Sequence, residues 1–90
     1  MYRALELTKT FRKDLDKLRF TSEHYAKYII YLGDLLELKP LPPEARDHKL
    51  KGDFSDCREF HISGDLLVIY KINNEILQLI RIGNHSELFS

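Results

Sequence analysis

The chain is short of cysteine, of net charge and of long apolar runs, and each shortage closes off a class of protein. Cys57 is the only cysteine among 90 residues, so neither an intrachain disulfide nor a cysteine-based zinc site can form. No apolar stretch approaches the ~20 residues of a membrane-spanning helix, and the N-terminus lacks the apolar core of a signal peptide. A reducing, cytoplasmic setting is the expectation. Nothing reads as a linker, an internal repeat or a low-complexity segment. Residues 1–90 leave room for one core and are expected to form a single domain.

The missing charge excess bears on partners. Fourteen Lys and Arg are matched by 14 Asp and Glu, whereas a nucleic-acid-binding domain is often clearly basic. The distribution is less even than the sum. Residues 1–51 carry 11 basic and 8 acidic side chains, and residues 52–90 carry 3 and 6. A local basic face in the first half therefore survives the neutral total.

Tyr2 to Leu7 alternates in the manner of a short strand. Thr8 or Thr10 then caps a predicted helix through about Arg19, with Phe11, Leu15 and Leu18 on one face. Its outer surface carries Lys9, Arg12, Lys13 and Lys17, a basic face on which Lys13 and Lys17 are candidates for contact with phosphates. Thr21 or Ser22 caps a second helix to about Leu38, with Tyr25, Ile29, Leu32, Leu35 and Leu36 as its expected buried stripe. Pro40, Pro42 and Pro43 end it.

From Cys57 the pattern turns to strands: CREFHI, a Ser63-Gly64 turn, LLVIYKI, an Asn73-Asn74 turn, and EILQLIRI. Leu66–Ile72 is apolar at both parities and should be a central strand covered on both faces. Gly83 ends the last strand, and HSELFS forms a tail or a single turn. The expected fold class is α+β, a β-α-α unit followed by an antiparallel β-meander, with two helices packed on one small sheet.

Polar residues that core packing does not require are set among these elements: His48 in DHKLKG, His61 and Asp65 in CREFHISGDLLVIY, Arg81 and His85 in RIGNHSELF. Cleaving RNA without a metal needs a base for the 2′-hydroxyl and an acid for the leaving oxygen. It also needs positive charge where the phosphorane develops. Histidine titrates near neutrality and suits the first two roles, each worth on the order of 10²–10⁴-fold. The planar fork of arginine suits the third. Each residue also has an ordinary account. His48 fits a charged surface loop, His61 a solvent-facing strand position, Arg81 a snorkelling edge residue or structural ion pair, and His85 a turn. Phe89 fits an anchor for the C-terminus. Their number on one meander is what favours a site. Metal ligation by the histidines with Asp65 lacks HxxxH or HxH spacing, so no metal and no cofactor is expected.

These phrases resemble the RelE/ParE toxin superfamily, most closely its YafQ-like branch. LPPEARDHKLKG, CREFHISGDLLVIY and RIGNHSELF carry the likeness in order and spacing, while residues 1–39 share only the β-α-α pattern. The resemblance implies a RelE-like fold and a ribosome-dependent endoribonuclease that cuts mRNA and is neutralised by a cognate antitoxin. It implies a catalytic set of His48, His61, Asp65, Arg81 and His85, with Phe89 placing or stacking on a base. On that analogy His85 and His48 lead as acid and base, His61 and Asp65 assist, and Arg81 stabilises the transition state. The sequence assigns neither acid nor base to a particular histidine. Arg58 reads as structural, through an ion pair. Where some relatives carry an aromatic after the aspartate, this chain has Leu66. ParE-like gyrase inhibitors in the same superfamily lack the histidine set. The alternative from another class is a non-catalytic toxin-like module that binds an antitoxin or other protein partner.

Overall fold

The computed structural model describes residues 1–89. The first strand, β1 (Ala4–Leu7), leads into α1 (Lys9–Lys17) and α2 (Ser22–Leu36). A Pro43–Ala45 3₁₀ turn, the two-residue strand β2 (His48–Lys49) and a Gly52–Phe54 3₁₀ turn follow. The meander is β3 (Arg58–His61), β4 (Leu67–Asn73) and β5 (Ile76–Gly83), and α3 (His85–Phe89) closes the chain. The strands form one five-stranded sheet in the order β1-β5-β4-β3-β2, with β1 parallel to β5 and the other pairs antiparallel. Among the described residues no helix is long and apolar enough to cross a membrane.

Local chemistry accounts for the helix starts. Thr8 and Thr21 are the N-caps, and their hydroxyls accept from the Phe11 and His24 amides, both at 3.0 Å. Each such cap is worth about 1 kcal/mol. α2 stops at Leu36, and Leu38 takes a left-handed turn at φ 63° before Pro40. Arg3 ties the first strand to this end of α2, its guanidinium donating to the Leu35 carbonyl at 2.6 Å.

The larger core lies between the sheet and α1/α2 and holds Phe11, Phe60, Val68, Tyr70, Leu77 and Leu79 at its centre. Burying each such side chain contributes roughly 1.5–3 kcal/mol. A smaller cluster of Cys57, Leu67, Ile69 and Leu88 occupies the opposite face of the sheet. Alternate residues of β4 feed the two clusters, so the central strand is covered on both faces, as its composition predicts. Ile72, at its far end, is exposed.

Four details depart from the sequence expectation. In α2 the buried stripe is Tyr28, Tyr31, Leu32 and Leu35, while Tyr25 and Ile29 face outward. The helix is apolar on both sides, so periodicity could not choose. Phe60 decides it by receiving Tyr31 edge-on at 5.9 Å. His48 belongs to a fifth, edge strand rather than to a loop. The connection between β3 and β4 is residues 62–66, closed by Ile62 and Ser63 amides donating to the Leu66 carbonyl, in place of a two-residue turn. The β4–β5 turn sits one residue later, at Asn74-Glu75, with Asn74 at φ 58°.

Candidate active site

Cross-strand register decides which candidates meet. His48 pairs with Glu59, Glu59 with Ile69, and Ile69 with Arg81, giving one row across four strands. At ~4.8 Å per strand that row spans about 14 Å. In the neighbouring row His61 pairs with Leu67 and Leu67 with Gly83. Leu67 and Ile69 belong to the smaller cluster, so His48, Glu59 and His61 lie on the sheet face away from α2.

A bulge alters the parity of β5. Tyr70 pairs with Leu79 but Ile69 pairs with Arg81, leaving Ile80 as the extra residue. Bulges re-aim side chains. Here Leu77 and Leu79 point into the larger core, and Arg81, two residues on, does not. The bulge is pinned to the start of α1, where the Thr8 amide donates to the Leu79 carbonyl and the Thr8 hydroxyl donates to the Ile80 carbonyl. Arg81 meets Asp14 of α1 by two bonds, Nε at 2.7 Å and Nη2 at 3.1 Å, and the same carboxylate accepts from the Ile82 amide. That pairing raises the Arg81 pKa further, so its charge is permanent. Lys17 lines a cavity of about 150 Å³ with Arg81, Gly83 and Glu87, so the α1 cation and the strand arginine share one hollow.

The densest polar cluster sits at the β2–β3 edge. Glu59 is 3% exposed, and its Oε2 lies 2.9 Å from His61 Nε2 and 3.2 Å from His48 Nε2. The two imidazoles are nearly parallel, with centroids 6.2 Å apart. Glu59 Oε1 is buried and has no hydrogen-bond partner among the described residues. Arg46 closes the cluster. Its guanidinium donates to His61 Nδ1 at 2.9 Å, and its carbonyl accepts from His48 Nδ1 at 2.6 Å. Sequence reasoning missed Glu59 and Arg46. The signal for Glu59 was its shared parity with His61 on a strand; for Arg46 there was none, because its part depends on a left-handed backbone at φ 48°, ψ 44°.

His85 and Phe89 form the third group. His85 packs against Phe89 at 4.7 Å with the rings tilted by 37°, and Phe89 meets Phe54 edge-on at 5.7 Å. Asn84 starts α3, its side chain accepting from the Glu87 amide while the Glu87 carboxylate accepts from the Asn84 amide. Leu88 brings α3 down onto the face that carries His61 and Glu59. Gly83 permits that approach, since a Cβ there would lie 3.1 Å from Glu87 Oε1 and 3.3 Å from Leu88 Cδ2. Asp65 is exposed in the β3–β4 connection, on a shallow groove with Arg19, His24 and Asn84. Lys13 lies on the exposed side of α1 and lines none of these hollows. Arg58 makes the expected ion pair, donating to Asp47 at 3.1 Å, and Tyr70 donates to the same carboxylate at 2.6 Å.

His48, His61, His85 and Phe89 thus share one face, with Arg81 in the same cross-strand row as His48 and Asp65 at the end of the sheet. Such a face offers two proton-transfer centres, an arginine and an exposed aromatic. It offers no cage for a cation: among the described residues no group of three His, Cys, Asp or Glu side chains is disposed to hold one.

Residues 3–90 match the family described as bacterial toxin of type II toxin-antitoxin system, YafQ. The chain is 32% identical over 87 residues to the mRNA interferase toxin YafQ of Escherichia coli K12, covering 94% of this chain and 83% of that protein. It is 40% identical to a metal-bound toxin from Helicobacter pylori of known crystal structure, with a TM-score of 0.80 and coverage of 97% and 99%. The toxin in the E. coli DinJ-YafQ toxin-antitoxin complex superposes with a TM-score of 0.85 at 27% identity, each chain fully covered. The family match and the superpositions extend along nearly the whole length, and the chain belongs to the YafQ toxin family.

Proposed function

We propose that this chain is an mRNA interferase, a ribosome-dependent endoribonuclease that acts in the cytoplasm and is neutralised by a cognate antitoxin. The names of its relatives support the reaction class and the partner. The observation that carries the chemistry is the pair of imidazoles held on one buried carboxylate, His48 and His61 on Glu59. His85 on α3 supplies a second imidazole, and Arg81, two strands from Glu59 in the same cross-strand row, supplies a permanent positive charge.

In this reading the 2′-oxygen of the substrate attacks the adjacent phosphorus, the P–O5′ bond breaks, and a 2′,3′-cyclic phosphate forms. One proton leaves the 2′-hydroxyl and one arrives at the 5′-oxygen, so no net proton is consumed. The His48 cluster and His85 are the two exchange partners, and Asp65 assists. Arg81 retains N–H donors beyond the two used by Asp14, enough to meet a phosphorane oxygen. Phe89 offers its face to a base. Lys17 beside Arg81 and Lys13 on the outer side of α1 contribute ribosomal RNA phosphate contacts, which suits a neutral protein that borrows substrate placement from the ribosome. The donor set fits acid–base catalysis by His and Arg, without metal.

Primer extension on mRNA in a purified translation system tests this. Wild-type protein should give discrete cuts inside codons only with ribosomes present, and His85→Ala and Arg81→Ala should each abolish them. Protein stripped of metal by a chelator and then desalted should cut as well as untreated protein. Absence of cuts by the folded wild type would overturn the reading in favour of a binding module.

A further inference from the structure

We propose that Arg46 is a positioning residue that fixes where protons sit in the imidazole–carboxylate cluster, leaving His48 as the one of the two histidines that exchanges its proton with substrate. The assignment deepens the ribonuclease reading and rests on it for its catalytic consequence. A guanidinium can only donate. His61 Nδ1, 2.9 Å from Arg46 Nη2, must therefore be the unprotonated nitrogen, and its ring proton lies on Nε2, donated to Glu59 at 2.9 Å. His61 is then neutral, with both nitrogens engaged, and its side chain is 11% exposed.

His48 is held the opposite way. A carbonyl can only accept, so His48 Nδ1 carries a proton directed at the Arg46 oxygen. That leaves Nε2, 3.2 Å from the same Glu59 oxygen, as the exchangeable position. One mobile proton belongs to the His48–Glu59 contact, and His48, 52% exposed against 11% for His61, is the more open of the two rings. One residue sets both tautomers because its backbone is left-handed, a conformation uncommon outside glycine. There the carbonyl turns to His48 while the side chain reaches His61. Backbone outliers of this kind are energetically unfavourable and concentrate at functional sites. The charged groups facing the two rings are Arg46 from the loop, Glu59 from β3, and each ring for the other.

The test uses the full chain and long-range proton–nitrogen correlation spectra of its histidine rings, which report which nitrogen is protonated. In wild type His61 should show the Nε2–H tautomer and His48 a protonated Nδ1. Arg46→Gly keeps the left-handed backbone at no steric cost and deletes the guanidinium. It should release His61 into mixed tautomers, leave His48 Nδ1 protonated, and lower kcat for ribosome-programmed cleavage about 10–100-fold with little change in KM. Arg46→Lys should restore much of both signals. Unchanged His61 nitrogen shifts in Arg46→Gly would overturn the assignment even if cleavage persists. The expected tautomers without cleavage by any form would sustain it and overturn the ribonuclease reading instead.

Discussion

Replacing Glu59 by glutamine separates catalysis from stability. The carboxylate is almost fully buried, bonds two imidazoles through one oxygen, and leaves the other oxygen without a partner among the described residues. A hydrogen bond to a charged group contributes ~1.5–3 kcal/mol, and an unpaired buried polar atom costs ~1–3 kcal/mol. Two such bonds outweigh one unpaired atom, so the carboxylate contributes a net ~1–3 kcal/mol. Glutamine keeps the shape. With its amide oxygen where Oε2 stands, it can accept from His61 Nε2–H and from a protonated His48 Nε2, while its amide nitrogen takes the place of the unpaired oxygen. Neutral bonds are worth about half as much as charged ones, so the expected loss in stability is roughly 1–3 kcal/mol, a fall of about 4–20 °C in Tm for a domain of this size. What glutamine cannot do is hold a mobile proton with His48. Losing one acid–base partner costs on the order of 10²–10⁴ in rate. Calorimetric melting and cleavage in the purified translation system, on the same preparation, check both numbers. A variant that melts far below wild type yet cuts at the wild-type rate would refute the argument and make Glu59 a structural anchor.

Gly83→Ala places a Cβ against Glu87 Oε1 and Leu88 Cδ2, and Glu87 is the side chain that caps Asn84. Losing the cap costs about 1 kcal/mol. With α3 displaced by even a few tenths of an ångström, cleavage should fall at least ~10-fold through His85 and Phe89, and unchanged turnover would count against the placement of α3. In alkali, burial raises the pKa of Tyr28, Tyr31 and Tyr70, the last also through Asp47, and pushes the Cys57 thiol up to about 11. All four are held neutral in the fold while the unfolded chain ionises near ~8.5 for Cys and ~10 for Tyr. Their contribution is therefore complete below about pH 8 and lost as pH rises beyond it. Tm should be level from pH 7 to 8 and fall from about pH 9, with Cys57 unreactive to iodoacetamide at pH 8 in the folded protein. A Tm that stays level to pH 11 would contradict these shifts.

The α+β order, each helix cap to within two candidate residues and the central strand were legible in the sequence because each depends on neighbours within a few residues. Thr8 and Thr21 bond amides three positions away, and the double parity of Leu66–Ile72 needs no knowledge of what covers it. The motif residues were legible for a different reason, their order and spacing along half the chain. The outward turn of Tyr25 and Ile29, the joining of β1 to β5 and the short strand of His48 were not. Each is settled by a partner distant in sequence. The bulge at Ile80 is the sharpest case: period-two reading puts Arg81 with Leu77 and Leu79, and one extra residue, pinned by Thr8 from the other end of the chain, turns it toward Asp14. By itself the sequence determined which chemical groups are present and roughly which element holds each, since propensity, capping and periodicity are local. Only the tertiary structure decided which groups touch: Glu59 between two histidines, Arg46 across both, Asp14 on Arg81. Those contacts depend on strand register and on one left-handed residue, and neither is written in any short stretch of sequence.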